Sequence, residues 1–293
     1  MIYTIEQINL ADDNTELEIR QLIKSAFNEP LLLEKGFIAK NINSKEDKSA
    51  FFLAAKENGK IIGCNAFIAY NCYLNGQIFN GYQSCWTATH PSHQGKKVFV
   101  NLINKAKEIL KLEGAGFLYG VANNNSNPIF TKKLGFTEFQ SKTLRILNIP
   151  FYRKIYFNAV TLIENENNCF INEEQVKLHK ESQSLENLIT IKNKKSWIWG
   201  KVINKNKFGI KFSVFLLGGI IIDSRSDLDY IIGEVFSKYK VAYIEIISSE
   251  THSCISLFKR WKKSKGRNGF IFFNLNLPTF NKLDLMIGSI DVF

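Results

Sequence analysis

The spacing of apolar and polar residues changes period repeatedly along this chain, which is typical of a fold that mixes strands and helices. Alternating residues predict a strand over Ile2–Ile8. Apolar residues three and four apart predict a helix over Leu17–Phe27, followed by a short helix over Pro30–Lys40. Asn58-Gly59 and Asn75-Gly76 are turn pairs typical of hairpins, so antiparallel strands are predicted on either side of each pair.

The stretch Gly81–Val100 combines a predicted strand over Gly81–Thr89 with a polar loop and a helix that begins near Lys96. A strand that turns directly into a helix points the first N–H groups of the helix at whatever lies beyond the strand. These donors coincide with the positive end of the helix dipole, so the corner is predicted to bind an anion. The corner comprises Gln94, Gly95, Lys96, Lys97, Val98 and Phe99.

A second polar loop follows one strand later. Gly116–Ala122 is predicted to be a strand, and Asn123–Phe136 is predicted to be a loop that contains a short helix. Asn127 is a typical N-cap residue, Pro128 is favoured in a first helical turn, and Gly135 is a typical helix end.

The second half of the sequence repeats the order strand, helix, strand, helix, strand. The strands of this repeat are predicted over Phe212–Ile222, Tyr243–Ile247 and Phe270–Leu275, and its helices over Asp227–Tyr239 and Ser253–Gly266. A helix over Glu173–Lys180 is predicted before the repeat, and a further strand over Leu283–Val292 after it. Because the pattern fades over Tyr152–Asn168, we predict two domains, residues 1–150 and residues 151–293. At the corner of the second copy, Asp223 and Asp227 replace the lysines, and their charge would repel a pyrophosphate.

The composition and net charge indicate which kinds of ligand or partner the chain could bind. The chain has 293 residues and a formal net charge of +11, which suits polyanionic small ligands, nucleic acid or a membrane surface. The densest basic cluster ends the predicted helix Ser253–Gly266, and we expect it to face solvent rather than nucleic acid. No apolar run reaches the length of a membrane span, and the first residues lack the layout of a signal peptide. The five cysteines lack metal-site spacing, which predicts no metal and reduced thiols in a cytoplasmic protein.

The corner and the second loop together resemble the GNAT acyltransferases. In that family a Gln/Arg-x-x-Gly-x-Gly/Ala loop binds the pyrophosphate of coenzyme A, and Gln94–Phe99, preceded by His90-Pro91, is similar to it. Lys97 and Phe99 stand where the family usually has two small residues. The resemblance implies an α+β fold. It would be a GNAT fold with a mixed, mostly antiparallel central sheet flanked by helices, followed by a degenerate second GNAT-like half.

The resemblance also implies a coenzyme A site at which an amine attacks the thioester directly, in a ternary complex. The backbone from Trp86 to Thr89 would hold the pantetheine arm, and an N–H there would stabilise the developing oxyanion by about 3–4 kcal/mol. The implied cofactor-binding residues are Trp86, Ala88, Thr89, Gln94, Gly95, Lys96, Lys97, Val98, Phe99, Asn123, Asn124, Asn127, Phe130 and Lys133. The implied catalytic residues are Thr87, through its backbone, and His90, as the nearest base, while Thr131 stands at the family's usual tyrosine position.

The two-part architecture resembles the sugar N-acyltransferases of bacterial surface-polysaccharide pathways. Those enzymes use acetyl- or 3-hydroxybutanoyl-CoA and act on nucleotide-linked 3-amino-3,6-dideoxyhexoses. The resemblance implies that Gln83, Ser84, Trp197 and Trp199 contact the acceptor.

Two alternatives stay open at this point. One is a GNAT enzyme that acts on another small amine, such as an aminoglycoside or an amino acid. The other is a non-catalytic GNAT-like module whose basic segment 253–266 contacts nucleic acid.

Overall fold

The computed structural model describes residues 3–42, 50–158, 168–182, 188–264, 269–280 and 282–289. The chain divides into two compact units, each made of three stretches. The first unit comprises residues 1–71, 79–137 and 271–278, and the second comprises residues 72–78, 138–270 and 279–293. The single boundary near residue 150 stays a prediction.

The elements of the first part of the chain are β1 (Thr4–Ile8), α1 (Asp13–Phe27), α2 (Phe37–Ile42), β2 (Phe51–Glu57), β3 (Lys60–Leu74), β4 (Gln77–Thr89), α3 (Val98–Leu112), β5 (Phe117–Val121), α4 (Asn127–Lys133) and β6 (Thr137–Phe139). The remaining elements are β7 (Ser141–Leu147), α5 (Tyr152–Tyr156), β8 (Asn168–Ile171), α6 (Glu173–Ser182), β9 (Ile189–Asn193), β10 (Ser196–Lys207), β11 (Ile210–Ile221), α7 (Arg225–Tyr239), β12 (Tyr243–Ser249), β13 (Lys262–Lys263), β14 (Phe270–Asn274) and β15 (Lys282–Asp284). Short 3₁₀ turns lie at Pro91–His93, Ser253–Leu257 and Ile287–Ser289.

Both predicted hairpins are present, and their turn residues explain why. Asn58 and Gly59, which join β2 to β3, have φ angles of 51° and 79°, and Asn75 and Gly76, which join β3 to β4, have 52° and 73°. Two consecutive residues with positive φ make the turn that matches the twist of paired strands, and Asn-Gly adopts it at low cost.

The sheet of the first unit has the order β1-β2-β3-β4-β5-β14. β1, β2 and β3 pair antiparallel, whereas β4 and β5 run parallel on either side of the α3 crossover. The apolar stripe of α3, which comprises Val98, Leu102, Ile103, Ala106 and Leu110, is buried in the core of this unit. β4 and α3 therefore meet at a corner that the core holds in place.

The sheet of the second unit has the order β13-β7-β12-β11-β10-β9. β10 and β11 pair antiparallel, and β11 and β12 run parallel on either side of α7. The series β10, β11, α7, β12 thus repeats the series β3, β4, α3, β5, as the order of predicted elements indicated. Among the described helices of both units, none has the length and apolar character needed to cross a membrane.

The prediction of a helix over Ser253–Gly266 was wrong for the part that the structure describes. A 3₁₀ turn ends at Leu257, Arg260 is left-handed with φ 66°, and Lys262–Lys263 is extended. Burial explains the difference, because Phe258 is 2% exposed and bridges Phe157 with extended backbone. The end of the predicted helix, residues 265 and 266, lies outside the described residues.

Two other predicted elements are shorter than expected. The helix predicted over Pro30–Lys40 begins only at Phe37, because Gly36 has φ +77° and its N–H donates to Glu16 Oε1 at 2.7 Å. The strand predicted over Leu283–Val292 ends at Asp284, and the chain then makes a 3₁₀ turn. Residues 290–293 lie outside the described part of the chain.

Candidate functional site

The divergence of β4 from β5 is the first feature of the site. Three parallel residue pairs join the two strands, and the last is Gln83 with Tyr119. β4 continues to Thr89, and its edge from Ser84 onward does not pair with β5. An unpaired strand edge offers backbone donors and acceptors to an extended ligand. The residues predicted to hold the pantetheine arm, Trp86 to Thr89, lie in this unpaired stretch.

The corner between β4 and α3 is the second feature. Gly95 and Lys97 have φ angles of 79° and 63°, and α3 begins at Val98 with no side-chain cap. Gln94, Gly95, Lys96 and Lys97 are exposed. The first turn of α3 thus keeps its backbone N–H groups for an external acceptor, and two lysines add positive charge beside them. This arrangement suits the pyrophosphate of coenzyme A.

The two predicted cofactor motifs come together through aromatic contacts. The rings of Phe99, from the first motif, and Phe130, from the second, lie 5.1 Å apart in an edge-to-face arrangement, and Phe130 also packs on Phe136 at 4.8 Å. Phe99 therefore packs into the core instead of filling the loop, which explains how this position accommodates a large residue.

The second motif is organised by Asn123. Its Oδ1 accepts hydrogen bonds from the N–H groups of Asn125 and Ser126, at 3.0 and 2.9 Å. Ser126, not Asn127, occupies the N-cap position of α4, and Asn127 is the first helical residue. Asn124 and Lys133 are exposed on this surface. The hydroxyl of Thr131 donates to the Asn127 carbonyl at 2.8 Å, so it is engaged within the helix.

His90 caps the turn that follows β4. Its Nδ1 accepts from the Ser92 N–H at 3.3 Å and lies 2.8 Å from the Ser92 hydroxyl. The Ser92 hydroxyl also lies 2.9 Å from His93 Nδ1, and His93 Nε2 lies 2.9 Å from Glu57 Oε2. Because Nδ1 of His90 is an acceptor, the neutral ring carries its proton on Nε2. This hydrogen bond ties the His90 ring to the turn.

The backbone of β4 changes direction at Trp86, which has φ +47°. A large aromatic residue in the left-handed region costs about 1–2 kcal/mol. Gln83, which precedes this kink, is 1% exposed, and Ala88, which follows it, is 3% exposed. Ser84, Thr87 and Thr89 are half-buried.

Asn65 on β3 is a polar residue that the sequence reasoning missed. It is fully buried, and its side chain bonds to β4 next to the kink, to the carbonyl of Cys85 and to the hydroxyl of Ser84. The signal was present in the sequence, since Asn65 interrupts the apolar stretch Ile61–Tyr70.

The two tryptophans predicted to contact the acceptor belong to β10 of the second unit. Trp199 is fully buried, its Nε1 donates to Glu173 Oε2 at 3.2 Å, and Trp197 is 7% exposed. Burial raises the pKa of the Glu173 carboxyl to about 8. The assignment of these tryptophans to the acceptor stays a prediction. Among the described residues, no cluster of three or more histidine, cysteine or acidic side chains has a geometry that could hold a metal ion.

Comparison with known proteins places this geometry in context. Residues 7–139 match the family model described as the acetyltransferase (GNAT) domain. No curated protein matches the sequence significantly. The matched residues contain β4, the corner and the second loop, so the whole candidate site lies within the part of the chain that is similar to this family.

Several solved structures resemble the chain over most of its length. Eis1 from Mycobacterium abscessus is 10% identical, with a TM-score of 0.60, and the match covers 94% of this chain and 74% of that one. A probable N-acyltransferase from Enterococcus faecalis V583 is also 10% identical, with a TM-score of 0.61 and coverage of 94% and 73%. A GCN5-related N-acetyltransferase from Kribbella flavida has 10% identity, a TM-score of 0.60 and coverage of 94% and 72%. The predicted α+β fold, a GNAT fold followed by a second GNAT-like half, is confirmed.

Proposed function

We propose that this chain, which carries a GNAT acetyltransferase domain over residues 7–139, is an acyl-CoA-dependent sugar N-acyltransferase. The acyl group is acetyl or a short 3-hydroxyacyl such as 3-hydroxybutanoyl. The acceptor is the amine of a nucleotide-linked amino-deoxy sugar such as a dTDP-3-amino-3,6-dideoxyhexose. In the cell this reaction would take place in the cytoplasm and serve the synthesis of a surface polysaccharide such as lipopolysaccharide O-antigen.

The observation that carries the proposal is the unpaired edge of β4 leading into the uncapped start of α3. The Gln94–Phe99 corner binds the pyrophosphate through backbone N–H groups, and Lys96 and Lys97 add charge. The exposed side of the second loop, with Asn124 and Lys133, completes the surface for the nucleotide part of coenzyme A.

Bound acyl-CoA supplies a thioester, whose carbonyl carbon forms a bond to the amine nitrogen while its bond to sulfur breaks. The backbone of β4 after the kink, near Thr87, orients the thioester and places an N–H at its oxygen. Gln83 and Ser84 lie where β4 leaves β5, and we assign them to the acceptor. The departing thiolate takes up the proton that the amine nitrogen loses.

The acceptor is inferred from what β4 lacks. No carboxylate occurs between Gly81 and Thr89, and His90 is occupied by its turn. A lysine-type amine with a pKa of ~10.4 is neutral in roughly one molecule in a thousand near pH 7, so a base would speed its reaction by about 10²–10⁴-fold. An amine on a sugar ring has a lower pKa because electron-withdrawing oxygens flank it. A weakly basic acceptor therefore suits a site without a side-chain base.

The experiment is titration calorimetry with acetyl-CoA and 3-hydroxybutanoyl-CoA, followed by mass spectrometry of products from a panel of amines. The panel contains nucleotide-linked amino sugars, aminoglycosides and amino acids. We expect coenzyme A binding and an acylated nucleotide sugar. Acylation of only aminoglycosides or amino acids would show that the acceptor is one of those amines and not a nucleotide-linked sugar. Absence of coenzyme A binding, with a salt-sensitive shift on duplex DNA, would favour a non-catalytic module.

A further inference from the structure

The kink of β4 at Trp86 needs a cause outside its own side chain. Trp86 is left-handed, and its indole Nε1 is buried with no partner among the described residues. The ring makes an edge contact with Phe37, whose centroid is 6.0 Å away. A bulky residue persists in this backbone region only where the surrounding structure imposes it. The indole offers no hydrogen bond that would do so.

Asn65 supplies the missing constraint from the neighbouring strand β3. Its Nδ2 donates to the carbonyl of Cys85 at 2.8 Å and to the carbonyl of Ala66 at 2.9 Å. Its Oδ1 accepts from the hydroxyl of Ser84 at 3.2 Å. One fully buried amide therefore fixes the two β4 residues that precede the kink.

Cys64 holds the next residue along β4. Its Sγ lies 3.6 Å from the carbonyl oxygen of Trp86, to which the thiol donates. Burial raises the pKa of the Cys64 thiol to about 12, so it remains a neutral donor at physiological pH. Consecutive residues of β3 thus bind consecutive carbonyls of β4, at Cys85 and at Trp86.

We propose that Asn65 is a positioning residue for acyl transfer, which holds β4 at the Trp86 kink so that the backbone from Trp86 to Thr89 keeps the geometry that the thioester requires. The inference rests on the proposed function, because that backbone is the one assigned to the pantetheine arm. Burial of a polar amide in a strand is unfavourable unless its hydrogen bonds are made, and here the bonds to Cys85 and Ser84 are made to β4. Asn65 acts through the backbone and not on the substrate itself.

The test compares Asn65→Ala with Ile68→Ala, both on β3. Ile68 is 1% exposed, and its truncation matches the loss of stability without removing a bond to the kink. Three quantities are measured for the full chain: kcat, the Kd of coenzyme A, and hydrogen exchange of the amides of residues 84–89. We expect Asn65→Ala to lower kcat by about 10–100-fold, since small displacements of reacting groups have effects of this size. Exchange at residues 84–89 should quicken while Kd stays within about threefold. Ile68→Ala should change none of the three.

A second pair of variants covers the case in which Asn65→Ala does not fold. Cys64→Ala removes only the sulfur that bonds to Trp86, and Cys64→Ser restores a donor at the same position. We expect a lower kcat and faster exchange at residues 84–89 for Cys64→Ala, with recovery of both in Cys64→Ser.

Three results would overturn the inference. They are an unchanged kcat in a folded Asn65→Ala variant, an equal loss in Ile68→Ala, and a loss of coenzyme A affinity that accounts for the whole effect. If only the Cys64 variants fold, equal behaviour of Cys64→Ala and Cys64→Ser overturns it. Failure of the unaltered protein to bind coenzyme A is a separate result, which refutes the proposed function.

Discussion

The corner after β4 and the corner after β11 share one architecture. Each strand deviates three residues before its end, at Trp86 in β4 and at Gly218 in β11, where the pairing with β10 shifts register. Each strand then leads to a 15-residue helix and to a parallel strand. The two corners differ in whether the chain's own side chains cap the backbone N–H groups at the start of the helix.

The start of α3 is open, whereas the start of α7 is satisfied from within. Ser224 caps α7 by accepting from the Asp227 N–H at 3.2 Å. The Asp227 carboxylate, 1% exposed, accepts from Asn193 at 2.9 Å and from Ser196 at 3.0 Å. The positive end of α7 therefore already has a buried anion beside it.

The edges of β4 and β11 beside the two kinks differ as well, because side chains of the same chain cover the edge of β11. A Cβ atom on Gly218 would come within 2.5 Å of the Trp199 ring, so this ring covers the second kink. Glu173 lies against Gly219 and bonds to Trp199. The space beside the second kink is thus filled by the chain's own side chains. The comparison teaches that the helix start after β4 is left open, whereas the helix start after β11 is satisfied and covered by the chain's own side chains.

Gly95→Pro should produce the largest effect, because it breaks the open corner. Proline fixes φ near −65°, whereas Gly95 has φ +79°, and the ring also removes an N–H donor. We expect the affinity for coenzyme A to fall by about 100-fold, which corresponds to ~3 kcal/mol, and titration calorimetry measures it. Lys96→Ala should cost less, since an exposed charge contributes little through solvent.

Gly209→Pro is the matched control for this prediction. Gly209 has φ +80° in the β10–β11 hairpin, so proline causes the same backbone conflict in a turn of the second unit. An equal loss of coenzyme A affinity in both variants would mean that the corner has no special role.

Asp227→Ala breaks the closed corner. It leaves the donors of Asn193, which is half-buried, and of Ser196, which is fully buried, without their acceptor. We therefore expect a loss of about 2–4 kcal/mol in the free energy of unfolding. The Kd of coenzyme A should stay within about twofold. Asp229→Ala, on the same helix but with a partly exposed carboxylate, should cost at most ~1 kcal/mol in chemical denaturation. A larger effect of Asp227→Ala on coenzyme A binding than on stability would contradict the comparison.

Glu173→Gln should change the pH dependence of stability in the second unit. The carboxyl pKa rises from 4.5 to about 8 on folding, because burial disfavours the charge. The folded protein therefore binds more protons than the unfolded chain between these values, and this group's contribution to stability is lost as the pH rises through that window. Glu173→Gln should flatten the fall in melting temperature from pH 5 to pH 8, and the exposed neighbour variant Glu174→Gln should not. An unchanged slope would show that Glu173 is solvated.

His90→Asn should give the smallest effect. Asparagine retains an acceptor for the Ser92 N–H, so the turn after β4 survives. We expect kcat within about tenfold of the parent and an unaltered affinity for coenzyme A, with a pH–rate profile that follows the amine. A fall beyond about 100-fold, with the basic limb of the profile flattened, would identify His90 as the base.

The elements and turns were largely determined by the sequence itself, because their causes are local. Asn-Gly pairs specify the two hairpins, Gly95 has the backbone freedom that the corner uses, and the order of strands and helices repeats in both halves. The two loops predicted to bind the cofactor could likewise be located, since each is a short contiguous segment. Asn65 could have been noticed as a polar interruption of an apolar stretch, but not assigned a partner.

Only the tertiary structure decided which strands lie next to each other in the two sheets. β14, more than a hundred residues beyond β5, lies beside it in the first sheet, and β7 pairs with β12 in the second. Hydrophobic periodicity predicts which face of a strand is buried, but it does not predict which other strand will pair with it. Tertiary contacts also decided three other features: the extended backbone at Phe258, the hydrogen-bond partners of Asn65, and the buried carboxylate at the start of α7. Each depends on what the folded chain brings alongside, because burial and hydrogen bonding between distant residues outweigh local preference.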